Sequence, residues 1–222
     1  LFIGRKGDDY SAQILAHLAE QTSDILELYA DGFGSPLPLE ARDWTGDYIF
    51  CFRSHIILKP DMIAKAEVAA VNFHPGPPEY RGAGCVNWAL FEGAEIYGTT
   101  AHLIASEVDA GAILDVCRFD VGAEDSLEHV LSQTYQRTVE QAERVIDALF
   151  EGGKHAVDRL RAACAAEKWS GPLHLKKDLE KLYEVPADAD EELVARIIRA
   201  TKIGTWAPFV ELHGRKFYLR ED

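Results

Sequence analysis

The sequence predicts an α/β fold: a Rossmann-like, mostly parallel sheet with helices on both faces, followed by a small C-terminal subdomain of helices and a β-hairpin. Two observations predict the sheet, because short apolar segments alternate with helical segments and the apolar segments are continuous runs, as in strands buried on both faces. A third observation is the change in character after GGKH at residues 152–155. We therefore expect a main domain over residues 1–152 and a subdomain over residues 153–222.

The first half of the main domain alternates strands with helices. LFIG at residues 1–4 is a strand, GRKGDD a polar turn, and YSAQILAHLAEQ a helix whose apolar residues recur at helical spacing. A Gly- and Pro-rich segment then separates two further strands, and a short helix, DMIAKAE, follows Pro60. The three later strands of this half are DILELYA (24–30), DYIFCFR (47–53) and VAAVNF (68–73).

The second half continues with a helix over residues 84–93 that ends at Gly93. Two strands follow, YGTTAHLIA (97–105) and AILDVCRFDV (112–121), and a long amphipathic helix spans residues 125–151. The C-terminal part reads as an Ala-rich helix over 155–167, a basic and aromatic loop KWSGPLHLKK, an acidic helix near 188–200, and a hairpin around Gly214.

Composition excludes several classes of function. The chain has 222 residues, 47% of them apolar and 27% charged, as in an ordinary globular protein. Its formal net charge of -14 argues against a nucleic-acid-binding surface. No apolar run approaches the roughly 20 residues that span a bilayer, and no signal segment opens the sequence, so we expect no membrane partner and no export. The four cysteines have no paired spacing, which favours a reducing cytoplasm over a disulfide framework or a zinc site.

Polar side chains stand at the end of the strand that leads into VNFHPGPPEYRG, residues 71–82. Asn72 and His74 straddle Phe73, so an extended chain points both side chains to one face. Ligands bind outside the carboxyl ends of parallel strands, and an amide with an imidazole offers hydrogen bonds and a titratable proton there. Asp109, in the turn between two later strands, is placed to orient His74. The alternative is structural: an Asn that starts a turn, a locally packed His, and an Asp in an ordinary turn.

Other candidate sites are weaker. GRKGDD matches neither the dinucleotide nor the Walker glycine pattern, which favours a surface turn over a phosphate loop. The eight histidines form no cluster such as HExxH, so we expect no metal, and we interpret His17 and His129 as solvated helix residues. Cys85 is close to the candidate site in sequence but no His adjoins it, which favours a packed side chain over a nucleophile.

Five motifs in order resemble the folate-dependent formyltransferases, a family with glycinamide ribonucleotide, methionyl-tRNA and sugar-nucleotide members. The motifs are NFHP (72–75), EYRG (79–82), VNWALFEG (86–93), YGTTAHLI (97–104) and VDAG (108–111). The resemblance covers roughly residues 45 to 121. It implies transfer of a formyl group from 10-formyltetrahydrofolate to a primary amine, with no metal.

The resemblance also implies roles for particular residues. Asn72, His74 and Asp109 match the family's catalytic trio: Asn72 would donate to the oxyanion, His74 would assist it and handle a proton, and Asp109 would orient His74 and relay a proton through water. The pterin would lie against FRSHIIL (52–58) and the turn before Asp109, and the loop after His74 would contact the acceptor. The cofactor-binding residues expected on this basis are Arg53, Ser54, Ile56, Ile57, Leu58, Val108 and Asp109. The substrate-binding residues expected are Gly76, Pro77, Tyr80 and Arg81.

Departures from the family pattern select among its members. The family loop usually runs HPSLLPxYRG, whereas HPGPPEYRG is one residue shorter and has Gly76 in place of Ser. GRKGDD does not supply the phosphate loop of a glycinamide ribonucleotide enzyme, and the chain is too short and too acidic for the added domain of a methionyl-tRNA enzyme. Among the members of the resembled family, elimination therefore favours an enzyme whose acceptor is the amino group of a nucleotide-linked amino-deoxysugar.

Several alternatives stay open at this point. They are a formyltransferase for another small amine, such as an amino acid or a siderophore precursor, a methionyl-tRNA-like enzyme, a non-catalytic folate-binding module, and a formyl hydrolase. The C-terminal segment is expected either to contact a nucleotide, to form a homodimer interface, or only to close the edge of the sheet. Its basic and aromatic residues are Trp169, His174, Lys176, Lys177, Trp206 and Lys216.

Overall fold

The computed structural model describes residues 1–32 and 34–220 and confirms the α/β fold. The strands are β1 (Phe2–Arg5), β2 (Glu27–Ala30), β3 (Gly46–Phe52), β4 (Ala66–His74), β5 (Arg81–Gly82), β6 (Ile96–Leu103), β7 (Ile113–Asp120), β8 (Leu173–His174), β9 (Phe209–Leu212) and β10 (Arg215–Tyr218). The helices are α1 (Asp9–Gln21), α2 (Pro60–Ile63), α3 (Cys85–Glu92), α4 (Leu127–Ala163), α5 (Lys176–Leu182) and α6 (Glu191–Thr201), with a 3-10 turn at Leu39–Ala41.

Six strands form the central sheet in the order β2-β1-β3-β4-β6-β7. The pairs β1–β2, β1–β3 and β3–β4 are parallel, whereas β4–β6 and β6–β7 are antiparallel. The sheet is therefore largely parallel, as expected, except that β6 runs opposite to its two neighbours β4 and β7. The short connection between β6 and β7 explains part of this difference, because a parallel pair needs a crossover of a dozen or more residues.

Both faces of the sheet are buried, which explains the continuous apolar strands. Phe50 and Phe52 of β3 lie in one core cluster together with side chains from α1 and α4. Ile49 and Cys51, at the alternate positions, lie in the opposite cluster with Met62 of α2. Alternate side chains of a strand point to opposite faces, so β3 is covered on both sides.

The long helical element consists of two segments that meet at a kink. Helix α4 runs from Leu127 to Ala163, and Gly153 divides it with a non-helical backbone, φ 52° and ψ −133°. Ser126 caps its start, since the hydroxyl accepts a hydrogen bond from the His129 N–H at 3.2 Å. Ala156, beyond the interruption, lies in the same core cluster as the first half of α4. The two helical stretches that the sequence predicts are therefore both present and meet at Gly153, and the domain boundary at residue 153 stays a prediction.

The C-terminal part contains elements that the sequence pattern did not indicate. The acidic helix is α6, which packs on α3, and the predicted hairpin is the antiparallel pair β9–β10. KWSGPLHLKK was expected to be a loop, but it holds β8 and the first residues of α5. Strand β8 has two residues and exists because it pairs in parallel with β5, about ninety positions earlier. Such a strand has no local signal.

The two histidines that were expected to be solvated have different surroundings. His17 is not a freely solvated residue, because its Nε2 lies 2.7 Å from Oδ1 of Asp147 on α4. The side chain of His129 is 62% exposed, as expected. Within the described residues, no helix combines the length and the hydropathy needed to cross a membrane.

Candidate functional site

Polar side chains meet where β4 ends beside β6. Asn72 and His74 occupy positions two residues apart on β4, and in the register of the antiparallel pair Asn72 lies opposite His102 and His74 opposite Thr100. Side chains directly opposite one another share a face of the sheet. The face that carries the two predicted residues therefore carries a third polar side chain, His102, which the sequence analysis did not assign.

His102 sets the orientation of the Asn72 amide. The Nδ1 atom of His102 lies 2.9 Å from the Leu103 carbonyl oxygen, and its Nε2 lies 3.0 Å from Nδ2 of Asn72. A carbonyl only accepts, so Nδ1 carries the proton, and in the neutral ring Nε2 accepts from the Asn72 amide. One N–H of Asn72 is used in this way, and the second remains to donate to another group.

His74 is buried and pairs with Asp109. Its side chain is 4% exposed, its Nε2 lies 2.7 Å from the Tyr80 carbonyl oxygen, and its Nδ1 lies 3.4 Å from Oδ2 of Asp109. Both nitrogens face acceptors, so both are best used as donors, as in an imidazolium ring. Burial alone would lower the pKa of His74, but the Asp109 carboxylate, with contributions from Cys85 and the Tyr80 carbonyl, raises that pKa to about 9.

Asp109 is held in place from several sides. Its backbone is left-handed, with φ 47°, and its Oδ2 accepts a hydrogen bond from the Gly82 N–H at 2.8 Å. Burial alone would raise the pKa of Asp109, but the His74 ring and the hydrogen bond from the Gly82 N–H hold it well below its usual range. The site is thus an ion pair in a nearly dry environment, with Asn72 beside it.

The turn that carries Asp109 packs directly against β6. A Cβ atom added at Gly111 would lie 1.6 Å from the Leu103 carbonyl oxygen, which no side chain allows. The Arg81 guanidinium fixes the other side of the turn, because its Nε donates to the Asp109 carbonyl at 2.7 Å and its NH2 to the Val108 carbonyl at 3.1 Å. Glycine in the Asp-x-Gly pattern therefore has a steric reason.

A tryptophan from the C-terminal part covers this cluster. The ring centroid of Trp169 lies 5.8 Å from that of His74 and 5.0 Å from that of His102, both edge-to-face. Its Nε1–H donates to the Gly111 carbonyl at 2.7 Å. From the sequence, Trp169 was expected only to contact a nucleotide, to lie in a homodimer interface or to close the edge of the sheet, because nothing in its local sequence ties it to the site residues, which lie between about sixty and a hundred positions earlier.

The residues expected at the cofactor have mixed surroundings. The Arg53 side chain pairs with Asp8 at 3.0 Å, and its guanidinium carbon lies 3.5 Å from the ring centroid of Tyr135. It therefore ties the end of β3 to α1 and α4, and what Arg53 offers a ligand is backbone. Ser54 accepts from the Ile56 N–H at 3.1 Å.

The apolar residues of the same segment alternate in exposure. Ile56 and Leu58 are buried in the core, whereas Ile57 between them is 71% exposed. Val108, in the turn before Asp109, is 38% exposed. The side chains of Ile57 and Val108 thus present apolar surface at the two segments where the pterin was expected.

The loop residues expected at the acceptor lie close to His74 but are largely engaged internally. Gly76 and Pro77 are buried, and the Gly76 carbonyl accepts from the Thr100 hydroxyl at 2.7 Å. A Cβ at Gly76 would lie 2.7 Å from Nε2 of His74, so the glycine makes room for the ring. The Tyr80 hydroxyl donates to Glu92 at 2.9 Å, and Arg81 holds the turn described above. These residues shape the rim of the site more than they offer free groups.

The Cys85 thiol and a metal centre are the other reactive groups that such a site could use. Cys85 lies in space beside His74, with its Sγ 3.7 Å from Nε2, although no His adjoins it in the sequence. Its thiol points to the Gly82 carbonyl at 3.3 Å and is buried. In the part of the chain that the structure describes, no group of three or more His, Cys, Asp or Glu side chains is arranged to hold a metal ion.

Known proteins share both the sequence pattern and the fold. A family model described as formyl transferase matches residues 39–148. The phosphoribosylglycinamide formyltransferase of Haemophilus influenzae is 30% identical in an alignment of 131 residues that covers 55% of this chain and 62% of that protein. This chain therefore matches less than two thirds of that relative's length.

Solved structures extend the likeness to the C-terminal part. A 4-N formyltransferase from Francisella tularensis has a TM-score of 0.75 at 17% identity, covering 100% of this chain and 96% of that one. An N-formyltransferase from Helicobacter canadensis, in complex with folinic acid and dTDP-3-aminofucose, has a TM-score of 0.66 at 13% identity, covering 90% and 78%. At these identities the matches demonstrate a common fold.

Proposed function

We propose that the chain, which the formyl transferase family model matches over residues 39–148, transfers a formyl group from 10-formyltetrahydrofolate to the amino group of a nucleotide-linked amino-deoxysugar. The observation that carries the proposal is the cluster at the end of β4, where the Asn72 amide, the His74 ring and the Asp109 carboxylate meet. We assign the catalytic domain to residues 1–152 and the smaller subdomain to residues 153–222.

The chemistry assigns one role to each residue of the cluster. The amine attacks the formyl carbon, an oxyanion develops, and a proton must pass from the amine to the departing folate nitrogen. The second N–H of Asn72 donates to the oxyanion, since its first N–H is held by His102. Protonated His74 lies on the same face and adds positive charge, and Asp109 stabilises that charge and orients the ring. A well-placed oxyanion donor contributes roughly a hundredfold to a thousandfold in rate.

The formyl donor fits the segment over residues 53–58 and the turn before Asp109. Ile57 and Val108 are exposed apolar side chains there, and a flat pterin ring is the type of group that apolar surface binds. Arg53 has a left-handed backbone, with φ 52°, while its side chain is held by Asp8, so it would serve through its main chain. We propose that Ser54, Ile56 and Leu58 support this pterin-binding segment from the interior of the protein.

The choice of an amino sugar as acceptor has two supports. GRKGDD lacks a glycine-rich phosphate loop, and in the structure Asp8 of this turn is used to cap α1 and to pair with Arg53. The Francisella tularensis structure shares the fold over the whole chain, and the Helicobacter canadensis protein is in complex with an amino-sugar nucleotide. We place the acceptor beside the loop of Gly76, Pro77, Tyr80 and Arg81. We also propose that the protein forms a homodimer. We propose a cytoplasmic location as well, because free cysteines are typical of a reducing compartment.

The experiment is turnover by purified protein. The protein is mixed with 10-formyltetrahydrofolate and a panel of amino-deoxysugar nucleotides, amino acids and other small amines, and N-formyl products are identified by mass spectrometry. Turnover of a sugar nucleotide with loss of activity in His74→Ala supports the proposal. Turnover of another amine alone would refute the assignment of an amino sugar as the acceptor. Formate release at the same rate with or without any amine would indicate a hydrolase. Folate binding without turnover would indicate a binding module.

A further inference from the structure

A segment of the C-terminal part lies across the candidate site and is anchored on both sides. We call residues 167–174 the strap. At its start, the Glu167 carboxylate forms a two-point ion pair with Arg118 of β7, at 2.6 and 2.9 Å, and the same guanidinium contacts Glu79 at 2.9 Å. Because Glu79 belongs to the loop after β4, one arginine connects the strap to the rim of the site.

The middle and end of the strap are held by backbone contacts. The Ser170 N–H donates to the Pro78 carbonyl at 2.9 Å, and β8 pairs with β5, which follows Tyr80. The ring of His174 stacks on that of Trp88 with centroids 4.2 Å apart and an interplanar angle of 12°. These contacts hold the strap in register with the loop of residues 75–84.

Trp169 is the strap residue that faces the polar cluster. Its indole contacts the rings of His74 and His102 edge-to-face, and its N–H is fixed by the Gly111 carbonyl. Under this cover the exposed fractions are 4% for His74, 2% for His102 and 7% for Asp109. An indole whose only polar group is already bonded offers nothing to water on this side.

We propose that Trp169 is a specificity-determining residue that shields the formyl carbon from water, so that the formyl group passes to an amine and not to hydroxide or water. This inference rests on the proposed function. In transfer, the bond from the formyl carbon to the folate nitrogen breaks, a bond to the amine nitrogen forms, and the amine proton goes to the folate nitrogen. In the competing reaction water attacks the same carbon, the bond from that carbon to the folate nitrogen breaks, one water proton goes to the folate nitrogen, and formate and the second proton are released to solvent.

The physical reason lies in the shape and chemistry of the side chain. A closed site without mobile water strengthens the electrostatic effect of the Asn72 N–H and of charged His74, and it removes the competing nucleophile. Phe at position 169 keeps an apolar ring but loses the hydrogen bond to Gly111, whereas Ala removes the cover. Access of water to the site should therefore increase more in Trp169→Ala than in Trp169→Phe.

The first test needs no catalytic activity. Wild-type protein, Trp169→Phe and Trp169→Ala are treated with diethyl pyrocarbonate, and carbethoxylation of each histidine is followed by peptide mass spectrometry. His129, whose side chain is 62% exposed, is the internal reference. We expect the rate at His102 relative to His129 to rise several-fold in Trp169→Ala and less in Trp169→Phe. The control is Trp206→Phe, since Trp206 is 70% exposed and remote from the cluster in its contacts. An unchanged ratio in Trp169→Ala would overturn the shielding role.

The second test measures the partition of the formyl group. Each protein is given 10-formyltetrahydrofolate and its amine acceptor, and formate and N-formyl product are quantified together. We expect the ratio of formate to product to rise about tenfold in Trp169→Ala, which corresponds to about 1.4 kcal/mol in relative barrier height. A merely structural role would lower both products equally, and an unchanged ratio overturns the proposal. If wild-type protein shows protection of His102 but no formyl transfer to any amine, the proposed function is refuted, and with it the partition role of Trp169.

Discussion

Replacement of Asp109 by Asn tests the buried ion pair at the centre of the site. Asn tolerates the left-handed backbone of this position and can accept the hydrogen bond from the Gly82 N–H, so the change removes chiefly the charge. In the wild type the pKa of His74 is about 9, against about 6.5 for an ordinary histidine. Protonated His74 therefore stabilises the fold, and a difference of about 2.5 pKa units corresponds to a free energy on the order of 3 kcal/mol.

The sign of the pH dependence follows from this raised pKa. The contribution of His74 is fully present below about pH 6.5, declines as pH rises, and is lost above about pH 9. Asp109→Asn removes the charge that raises the pKa of His74 most, and only Cys85 and the Tyr80 carbonyl then oppose burial, so the pKa of His74 falls and most of this pH dependence of stability is lost. Between pH 6 and 9 the wild type should lose on the order of 3 kcal/mol of unfolding free energy relative to the variant.

The assay is urea unfolding of both proteins at pH 6 and pH 9, with the His74 ring followed by NMR titration. Asp147→Asn is the matched control, because it removes a carboxylate from a His–Asp pair whose side chains are 18% and 46% exposed. That pair should contribute no more than about 1 kcal/mol. A wild-type His74 that titrates at or below pH 6.5, or the same pH dependence in Asp109→Asn, would refute the reasoning.

Two other substitutions test the oxyanion donor and the packing of the turn. Asn72→Ala should reduce kcat by roughly a hundredfold to a thousandfold with little change in KM for the folate, measured by steady-state kinetics. A KM for the folate that rises by the same factor, with kcat unchanged, would assign Asn72 to binding alone. Gly111→Ala should cost about 3 to 5 kcal/mol in urea unfolding, because its Cβ would lie 1.6 Å from the Leu103 carbonyl oxygen. Gly32→Ala, with no atom within 4 Å of its Cβ, should change stability by less than about 0.5 kcal/mol, and equal effects of the two would contradict the packing argument.

Much of the fold was predictable because its elements carry local patterns. Continuous apolar segments such as those of β3 and β4 indicate strands that are buried on both faces. Gly93 indicates the end of α3, and Gly214 indicates the turn of the hairpin. The reversed direction of β6 was missed, since strand direction depends on the path of the chain and not on strand composition. Strand β8 was missed because its two residues are extended only by pairing with β5.

The candidate site was predictable in part for the same reason. Asn72 and His74 lie two residues apart on one strand, so their shared face follows from strand geometry, and the turn of Asp109 follows β6 directly. His102 was missed although its motif was recognised, because its contact with Asn72 requires the cross-strand register. Trp169 reaches the cluster only through tertiary packing of the strap, and residues so far apart in sequence leave no local pattern.

The central claim is that the cluster of Asn72, His74 and Asp109 moves a formyl group from folate to an amine. The most direct measurement uses 10-formyltetrahydrofolate labelled with ¹³C in the formyl carbon, mixed with purified protein and an amino-deoxysugar nucleotide, and follows the label by NMR. We expect the label to appear in an N-formyl sugar nucleotide, and Asn72→Ala to slow this appearance by roughly a hundredfold or more. Label that remains on the folate, or that appears only in formate, would contradict this claim.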